Sequence, residues 1–104
     1  MSEEAITHMV LVRPLAGVST ADFAAAEAAF LAMPEAIDGL EEVRCGANVS
    51  TENLGRGFTG AAVMRLRNTA ARDAYLPHEA HEAAAEKLGP LAEDVLVFDL
   101  EGVW

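Results

Sequence analysis

The fold of this 104-residue chain is decided by its first apolar run, Ile6-Thr7-His8-Met9-Val10-Leu11-Val12. Its length, its β-branched content and the Arg13-Pro14 pair that follows it predict a strand. Side chains alternate along a strand, so Ile6, His8, Val10 and Val12 share one face, and Thr7, Met9 and Leu11 share the other. Both faces are largely apolar. We therefore expect both to be covered, with His8 pointing into a buried region.

A helix is predicted after this strand. Ser19 is a favourable N-cap with Asp22 in a capping-box-like position, and the helix extends from Thr20 to Met33. Pro34 is expected to end it, because the residue before a proline is disfavoured in helical conformation. The apolar stripe that should face the core consists of Phe23, Ala26, Phe30 and Met33, with Glu27 to one side of it.

Three further strands and two further helices follow. The strands are predicted over Leu40 to Ala47, Phe58 to Leu66 and Val95 to Leu100, the first of these being polar enough for a sheet edge. The helices are predicted from Thr69 to Leu76, capped by Asn68, and from Pro77 to about Leu88. Gly60, Ala61 and Ala62 are small for a central strand and leave space above the sheet for a helix or a ligand. We expect the chain itself to fill that space.

The resulting order β-α-β-β-α-β is that of an α+β, ferredoxin-like fold, with a four-stranded antiparallel sheet and helices on one face. One domain over residues 6–100 accounts for the pattern. The first, third and fourth strands are apolar on both faces, so the face without helices needs a partner. A homodimer that packs sheet against sheet into an α/β barrel is the simplest solution.

Composition excludes several classes of function. The net charge of −10, with 17 acidic and seven basic residues, disfavours binding to nucleic acid or to anionic membrane surfaces. Cys45 is the only cysteine, which excludes an intrachain disulfide and fits a reducing compartment. No apolar stretch reaches the 18 or more residues of a membrane span, and Met1-Ser2-Glu3-Glu4 lacks the basic start of a signal peptide. A cytoplasmic protein is expected.

Candidate chemistry concentrates in Tyr75-Leu76-Pro77-His78-Glu79-Ala80-His81, which holds the only tyrosine and two of the three histidines. Histidine is the side chain best suited to move protons near pH 7. His78, His81 and Glu82 also have the spacing of metal ligands on a helix, but no second cluster accompanies them, so no metal site is predicted. Cys45 is interpreted as a spectator thiol.

Several segments together resemble the stress-responsive dimeric α/β-barrel (Dabb) domain. They are Ile6 to Leu11, Gly46 to Ser50, Arg56 to Thr59, Tyr75 to His81 and Val97 to Asp99. The resemblance implies a ferredoxin-like monomer that dimerises into a barrel. The family includes plant stress-responsive proteins, many bacterial proteins and a plant polyketide cyclase of the olivetolic-acid type.

The resemblance to the cyclase branch implies roles for individual residues. The catalytic tyrosine and histidine of that branch match Tyr75 and His81, and its first-strand histidine matches His8. A further histidine of the branch corresponds to Gly60 here, which removes one polar wall of the pocket. The implied chemistry needs no cofactor: His81 acts as general base on an acidic C–H while the Tyr75 hydroxyl holds the enolate oxygen during ring closure.

Two hypotheses follow. In the first, the chain is a homodimer that binds an apolar or aromatic small molecule between sheet and helices, with His8, Gly60 and His78 as ligand-binding candidates. In the second, it is a cofactor-free cyclase or isomerase with Tyr75 and His81 as catalytic residues. Structural roles are the alternative for each residue: His8 as a neutral imidazole bonded to Tyr75, His81 or a backbone carbonyl, Tyr75 as core, and His78 as a surface residue at a helix start.

Overall fold

The strands form one antiparallel sheet in the computed structural model, which describes residues 4–102. They are β1 (Ile6–Pro14), β2 (Leu40–Ala47), β3 (Gly60–Leu66) and β4 (Ala92–Glu101). The order across the sheet is β2-β3-β1-β4, so β2 lies at an edge as predicted and β4 lies at the other edge. The predicted ferredoxin-like sheet is confirmed. The expectations drawn from Met1 to Glu3 lie outside the described residues.

The first helix, α1 (Ala24–Ala36), follows a 3-10 turn over Thr20–Phe23 that carries the predicted Ser19–Asp22 capping box. The prediction that Pro34 ends the helix is wrong, because Pro34 lies inside it. Proline forfeits one backbone hydrogen bond, but the Ile37 N–H still donates to the Met33 carbonyl at 2.9 Å. The Met33 and Ile37 side chains are both buried, so their packing in the core outweighs the tendency of proline to end the helix.

The other helices are α2 (Thr69–Tyr75) and α3 (Glu79–Leu88). Asn68 caps α2 as predicted, its side chain accepting the Ala71 N–H. The prediction that Pro77 opens the next helix is wrong by two residues. His78 is the N-cap of α3, in an extended conformation, and its Nδ1 accepts the Ala80 N–H at 3.0 Å. The imidazole therefore supplies the acceptor that an N-cap needs.

The helices pack on the sheet face that carries Ile6, His8, Val10 and Val12, all of which are buried. This register places Val10 opposite Ala62 of β3 and opposite Val97 of β4. Core residues contributed by the helices include Ala26, Phe30, Met33, Tyr75 and Ala84. The predicted stripe of α1 is confirmed, since Phe23, the remaining member, packs against this core.

The opposite sheet face carries apolar side chains that the described helices do not cover. Met9 lies opposite Val63 and Phe98. Leu11, the next residue of β1 on that face, lies opposite Leu96. Phe98 is 54% exposed and Leu96 is 44% exposed. An apolar sheet face of this kind is typical of an interface.

Candidate functional site

Three aromatic rings meet where α2 and α3 cross the sheet. The Tyr75 and His81 ring centroids are 4.3 Å apart, and the His8 and Tyr75 centroids are 5.4 Å apart in an edge-to-face arrangement. Tyr75 is fully buried, and His8 is 4% exposed. The structure thus brings together the three residues that the resemblance implied, from three different elements.

His8 is bonded to a carboxylate that the sequence reasoning missed. Its Nδ1 lies 2.5 Å from Oδ1 of Asp99 on β4, and Oδ2 of the same carboxylate accepts from Arg72 Nη1 at 3.0 Å. Partial burial raises the pKa of Asp99, but the hydrogen bonds and charges of His8 and Arg72 lower it by more, so the net pKa lies below the usual value. A deprotonated Asp99 makes His8 Nδ1 the donor.

The tautomer of His81 follows from its partner. His81 Nδ1 lies 2.9 Å from the Leu76 carbonyl oxygen. A carbonyl only accepts, so Nδ1 carries the proton, and Nε2 of the neutral ring keeps its lone pair. His78 has the opposite arrangement, because its Nδ1 accepts the Ala80 N–H. Of these two rings, His81 is therefore the one whose Nε2 is left as a potential base.

The Tyr75 hydroxyl is occupied in this structure. It donates to Met64 Sδ at 3.2 Å, and sulfur is a weak acceptor. Burial, and secondarily the Asp99 charge, raises the pKa of Tyr75 well above its ordinary value. Tyr75 is accordingly a neutral hydrogen-bond donor rather than a base.

A cavity of about 250 Å³ lies beside this ring cluster, between α1 and the sheet. Its apolar lining includes Val10, Val12, Phe23, Ala26, Phe30, Ala62 and Leu88. On the sheet face that carries the rings, Val10 lies two residues after His8 on β1. Its partner Ala62 lies two residues before Met64 on β3. Two residues along a strand span about 7 Å, so the cavity begins next to the rings but is not lined by them.

The missing side chain of Gly60 helps to keep the cavity open. A Cβ built at Gly60 would have only the Gly46 carbonyl oxygen within 4 Å, at 3.7 Å. The expectation that the chain itself fills this space is therefore wrong. Phe23 and Phe30 line the cavity together with the small residues Gly60, Ala61 and Ala62 of β3.

Of the five predicted site residues, only Gly60 lines the cavity; His8, Tyr75 and His81 form the adjacent cluster, and His78 caps α3. Sequence reasoning missed Asp99 and Arg72. The signal for Asp99 was present, since it is a lone acid within the apolar run Val95 to Leu100. Its partner was not visible, because 91 positions separate it from His8.

Two negative findings concern the described residues, 4–102. No group of three or more His, Cys, Asp or Glu side chains is placed there to hold a metal ion. In the same range, no helix has both the length and the apolar character that crossing a bilayer requires.

Solved structures share this architecture over nearly their whole length. A dimeric ferredoxin-like protein of unknown function from Jannaschia sp. CCS1 is 26% identical, with a TM-score of 0.84, 93% of this chain covered and 98% of that one. A protein from Arabidopsis thaliana is 24% identical, with a TM-score of 0.87 and coverage of 95% and 96%. A hydroxynitrile lyase from Passiflora edulis is 18% identical, with a TM-score of 0.84 and coverage of 94% and 93%.

A comparison with curated proteins gives no match. The model of the stress responsive A/B barrel domain matches residues 6–102, which is nearly the whole chain. That match agrees with the strand order, the helices on one sheet face and the apolar opposite face. The chain belongs to the stress responsive A/B barrel domain (Dabb) family.

Proposed function

We propose that this chain is a homodimeric barrel protein that binds an apolar or aromatic small molecule in the cavity between α1 and the sheet. The observation that carries the proposal is the cavity itself, about 250 Å³ with a largely apolar lining. Pockets of this order with a few polar groups at the edge are typical of small-molecule sites. An apolar ligand gains binding free energy in proportion to the surface it removes from water.

The homodimer is supported by two observations. Leu96, Phe98 and Leu100 leave large apolar surface on the open sheet face. The similar structure from Jannaschia sp. CCS1 is described as a dimeric ferredoxin-like protein. A second copy of this chain is the partner that covers this face, and the lone cysteine fits action in the reducing cytoplasm.

Cys45 provides the test for binding. It lines the cavity, is half-buried and is the only cysteine, so a thiol reagent reports on this one position. With the purified protein at mildly alkaline pH, 2-phenylethanol should slow modification of Cys45 saturably. The Gly60→Val variant should show little protection, because its side chain occupies the same space. A modification rate unaffected by millimolar 2-phenylethanol would overturn the proposal.

A second candidate function is cofactor-free proton transfer on a carbonyl compound, by Tyr75 and His81, as a cyclase or isomerase. It is favoured by the ring contacts of 4.3 and 5.4 Å and by the hydrogen bond from His81 Nδ1 to the Leu76 carbonyl, which leaves Nε2 as the unprotonated nitrogen of the neutral ring. His81 would take the proton, and the Tyr75 hydroxyl, released from Met64, would hold the enolate oxygen. One protein of this fold is named as a hydroxynitrile lyase, so an enzyme test is worthwhile.

Turnover measurements distinguish the binding function from the catalytic function. With poly-β-keto compounds as substrates, an enzyme loses turnover in His81→Ala and Tyr75→Phe while 2-phenylethanol still binds. Lys87→Ala, on the outer side of α3, serves as the control variant and should keep full turnover. Absence of turnover in the parent protein with these substrates, together with saturable Cys45 protection, would favour the binding function over catalysis.

A further inference from the structure

Among residues 4–102, Glu27 on α1 is the only charged residue that lines the cavity. The other polar contributions come from hydroxyl groups and from the Cys45 thiol; the hydroxyl residues are Ser19, Thr20 and Thr59. Ser19 is already engaged, since its Oγ accepts the Asp22 N–H. Glu27 is exposed, and Ala26 beside it is buried. The carboxylate therefore belongs to the rim, with the apolar lining beneath it.

The Glu27 carboxylate makes no hydrogen bond or ion pair with residues 4–102. Some exposed acids on the strands do have a basic partner: Glu41 pairs with Arg65 at 3.2 Å, and Asp94 pairs with Arg13 at 3.3 Å. Glu27 is thus an acceptor at the cavity whose charge the described part of the chain does not neutralise.

The charge of Glu27 acts on the Cys45 thiol, on the other side of the cavity. Burial raises the pKa of the Cys45 thiol, and the Glu27 carboxylate raises it further. Cys45 lies on β2 and Glu27 lies on α1, so the field of the carboxylate crosses the space where a ligand would sit. An anionic group there is disfavoured for the same reason as the thiolate.

A ligand in the cavity would also remove water from the carboxylate. Removing solvent from a charge without a partner costs free energy, whereas a donor on the ligand offsets that cost. A protonated amine supplies both donors and opposite charge. The net charge of −10 adds a long-range attraction for cations and a repulsion for anions.

We propose that the cavity selects apolar molecules that end in a protonated amine, with Glu27 contacting the ammonium group at the rim. The inference rests on the proposed binding function and adds the chemical class of the ligand. In this arrangement the apolar lining contacts the hydrocarbon part of the ligand, and the Glu27 carboxylate contacts its ammonium group.

The test compares three probes with the same phenylethyl body: 2-phenylethylamine, 2-phenylethanol and 3-phenylpropanoate. Dissociation constants from NMR titration of the intact protein at neutral pH should rank amine tighter than alcohol, and alcohol tighter than carboxylate. We expect about a fivefold preference for the amine over the alcohol, the size of an exposed ion pair. Added salt should weaken amine binding and leave the alcohol unchanged.

Variants assign the preference to one side chain. Glu27→Gln should bind amine and alcohol about equally. Glu35→Gln is the matched control, because it removes the same charge from the same helix at an exposed position outside the lining. This control should keep the amine preference. The pH profile of Cys45 modification should move to lower pH in Glu27→Gln only.

The results distinguish a failure of the Glu27 role from a failure of the proposed binding function. Equal binding of amine and alcohol by the parent protein, or a preference that survives Glu27→Gln, would overturn the role of Glu27 while the cavity remains a binding site. Failure of all three probes to bind the parent protein would overturn the proposed function and this inference together.

Discussion

Gly60 leaves open part of the cavity in which we propose that a ligand binds. A Cβ added there meets only the Gly46 carbonyl oxygen, at an ordinary contact distance of 3.7 Å. Gly60→Val should therefore fold with unchanged or slightly higher stability, because it fills a void and suits a strand. We expect its dissociation constant for 2-phenylethanol to rise about tenfold or more, with Gly60→Ala in between.

Calorimetric titration and thermal unfolding of the same samples check this prediction. The graded series Gly60→Ala→Val is its own control, since loss of binding should follow side-chain volume rather than stability. A folded Gly60→Val protein that binds as the parent does would place the ligand outside this cavity.

Asp99 should make stability depend on pH. Its pKa in the folded protein lies below the ordinary value of 3.8, since the hydrogen bonds from His8 and Arg72 outweigh the opposing effect of burial. A depressed pKa contributes stability that is present above the unfolded-state pKa and is lost as the pH falls through the folded-state pKa. At pH 7, Asp99→Asn should lower the free energy of unfolding by about 1 kcal/mol after allowance for solvent screening.

Urea unfolding at pH 7 and at pH 3 measures this effect. The difference between parent and Asp99→Asn should narrow at pH 3. Asp73→Asn is the matched control: it also removes a carboxylate bonded to Arg72, but Asp73 is 69% exposed, so its effect should be near zero. An equal difference at both pH values would contradict the electrostatic explanation.

At the scale of elements, the beginning of α3 depends on an unusual cap. His78 Nδ1 accepts the Ala80 N–H at 3.0 Å, which satisfies one of the unpaired donors of the first turn. His78→Ala should lower the free energy of unfolding by about 1 kcal/mol, the usual cost of losing a cap. His78→Ser should retain most of it, because serine supplies an equivalent acceptor.

Chemical denaturation measures the cap, and 2-phenylethanol binding shows whether His78 also contacts a ligand. A pure capping role predicts normal ligand binding by His78→Ser. Loss of binding in His78→Ser with stability retained would instead support the ligand-binding role expected from the sequence.

Helix α1 shows how an element boundary depends on packing. A local rule ends the helix before Pro34, yet it continues to Ala36. Met33 and Ile37 are both 2% exposed, and their burial depends on the last turn of the helix. Each buried aliphatic side chain contributes about 1.5–3 kcal/mol, which is comparable to or greater than the cost of the missing backbone bond.

At the scale of the whole molecule, the open sheet face should hold the proposed dimer together. Phe98→Glu places a carboxylate among the apolar side chains of that face, where burial without a partner is costly. The variant should be monomeric at micromolar concentration in sedimentation velocity experiments, whereas the parent should be dimeric. Leu31→Glu, at a 46% exposed position on α1, is the control and should remain dimeric.

Two results would contradict this prediction. A parent protein that is monomeric at micromolar concentration would exclude the barrel for this chain. A dimeric Phe98→Glu variant would place the interface on another surface.

The sequence by itself determined the fold class and placed most element boundaries within two residues. The two-sided apolar pattern of β1, the Ser19–Asp22 capping box and the Asn68 cap are local features, each encoded within a few residues. Strand β2 was predicted from Leu40 to Ala47, and the structure has the same bounds. Local periodicity and capping are properties of short segments, so they are readable without the tertiary structure.

Only the tertiary structure decided which side chains meet. The Asp99 bond to His8 depends on the register between β1 and β4, and the Glu27 charge facing Cys45 depends on how α1 packs over β2. The unfilled space at Gly60 depends on how far α1 stands from β3. These relations join segments far apart in sequence, and they are set by the packing of the whole core rather than by any local pattern.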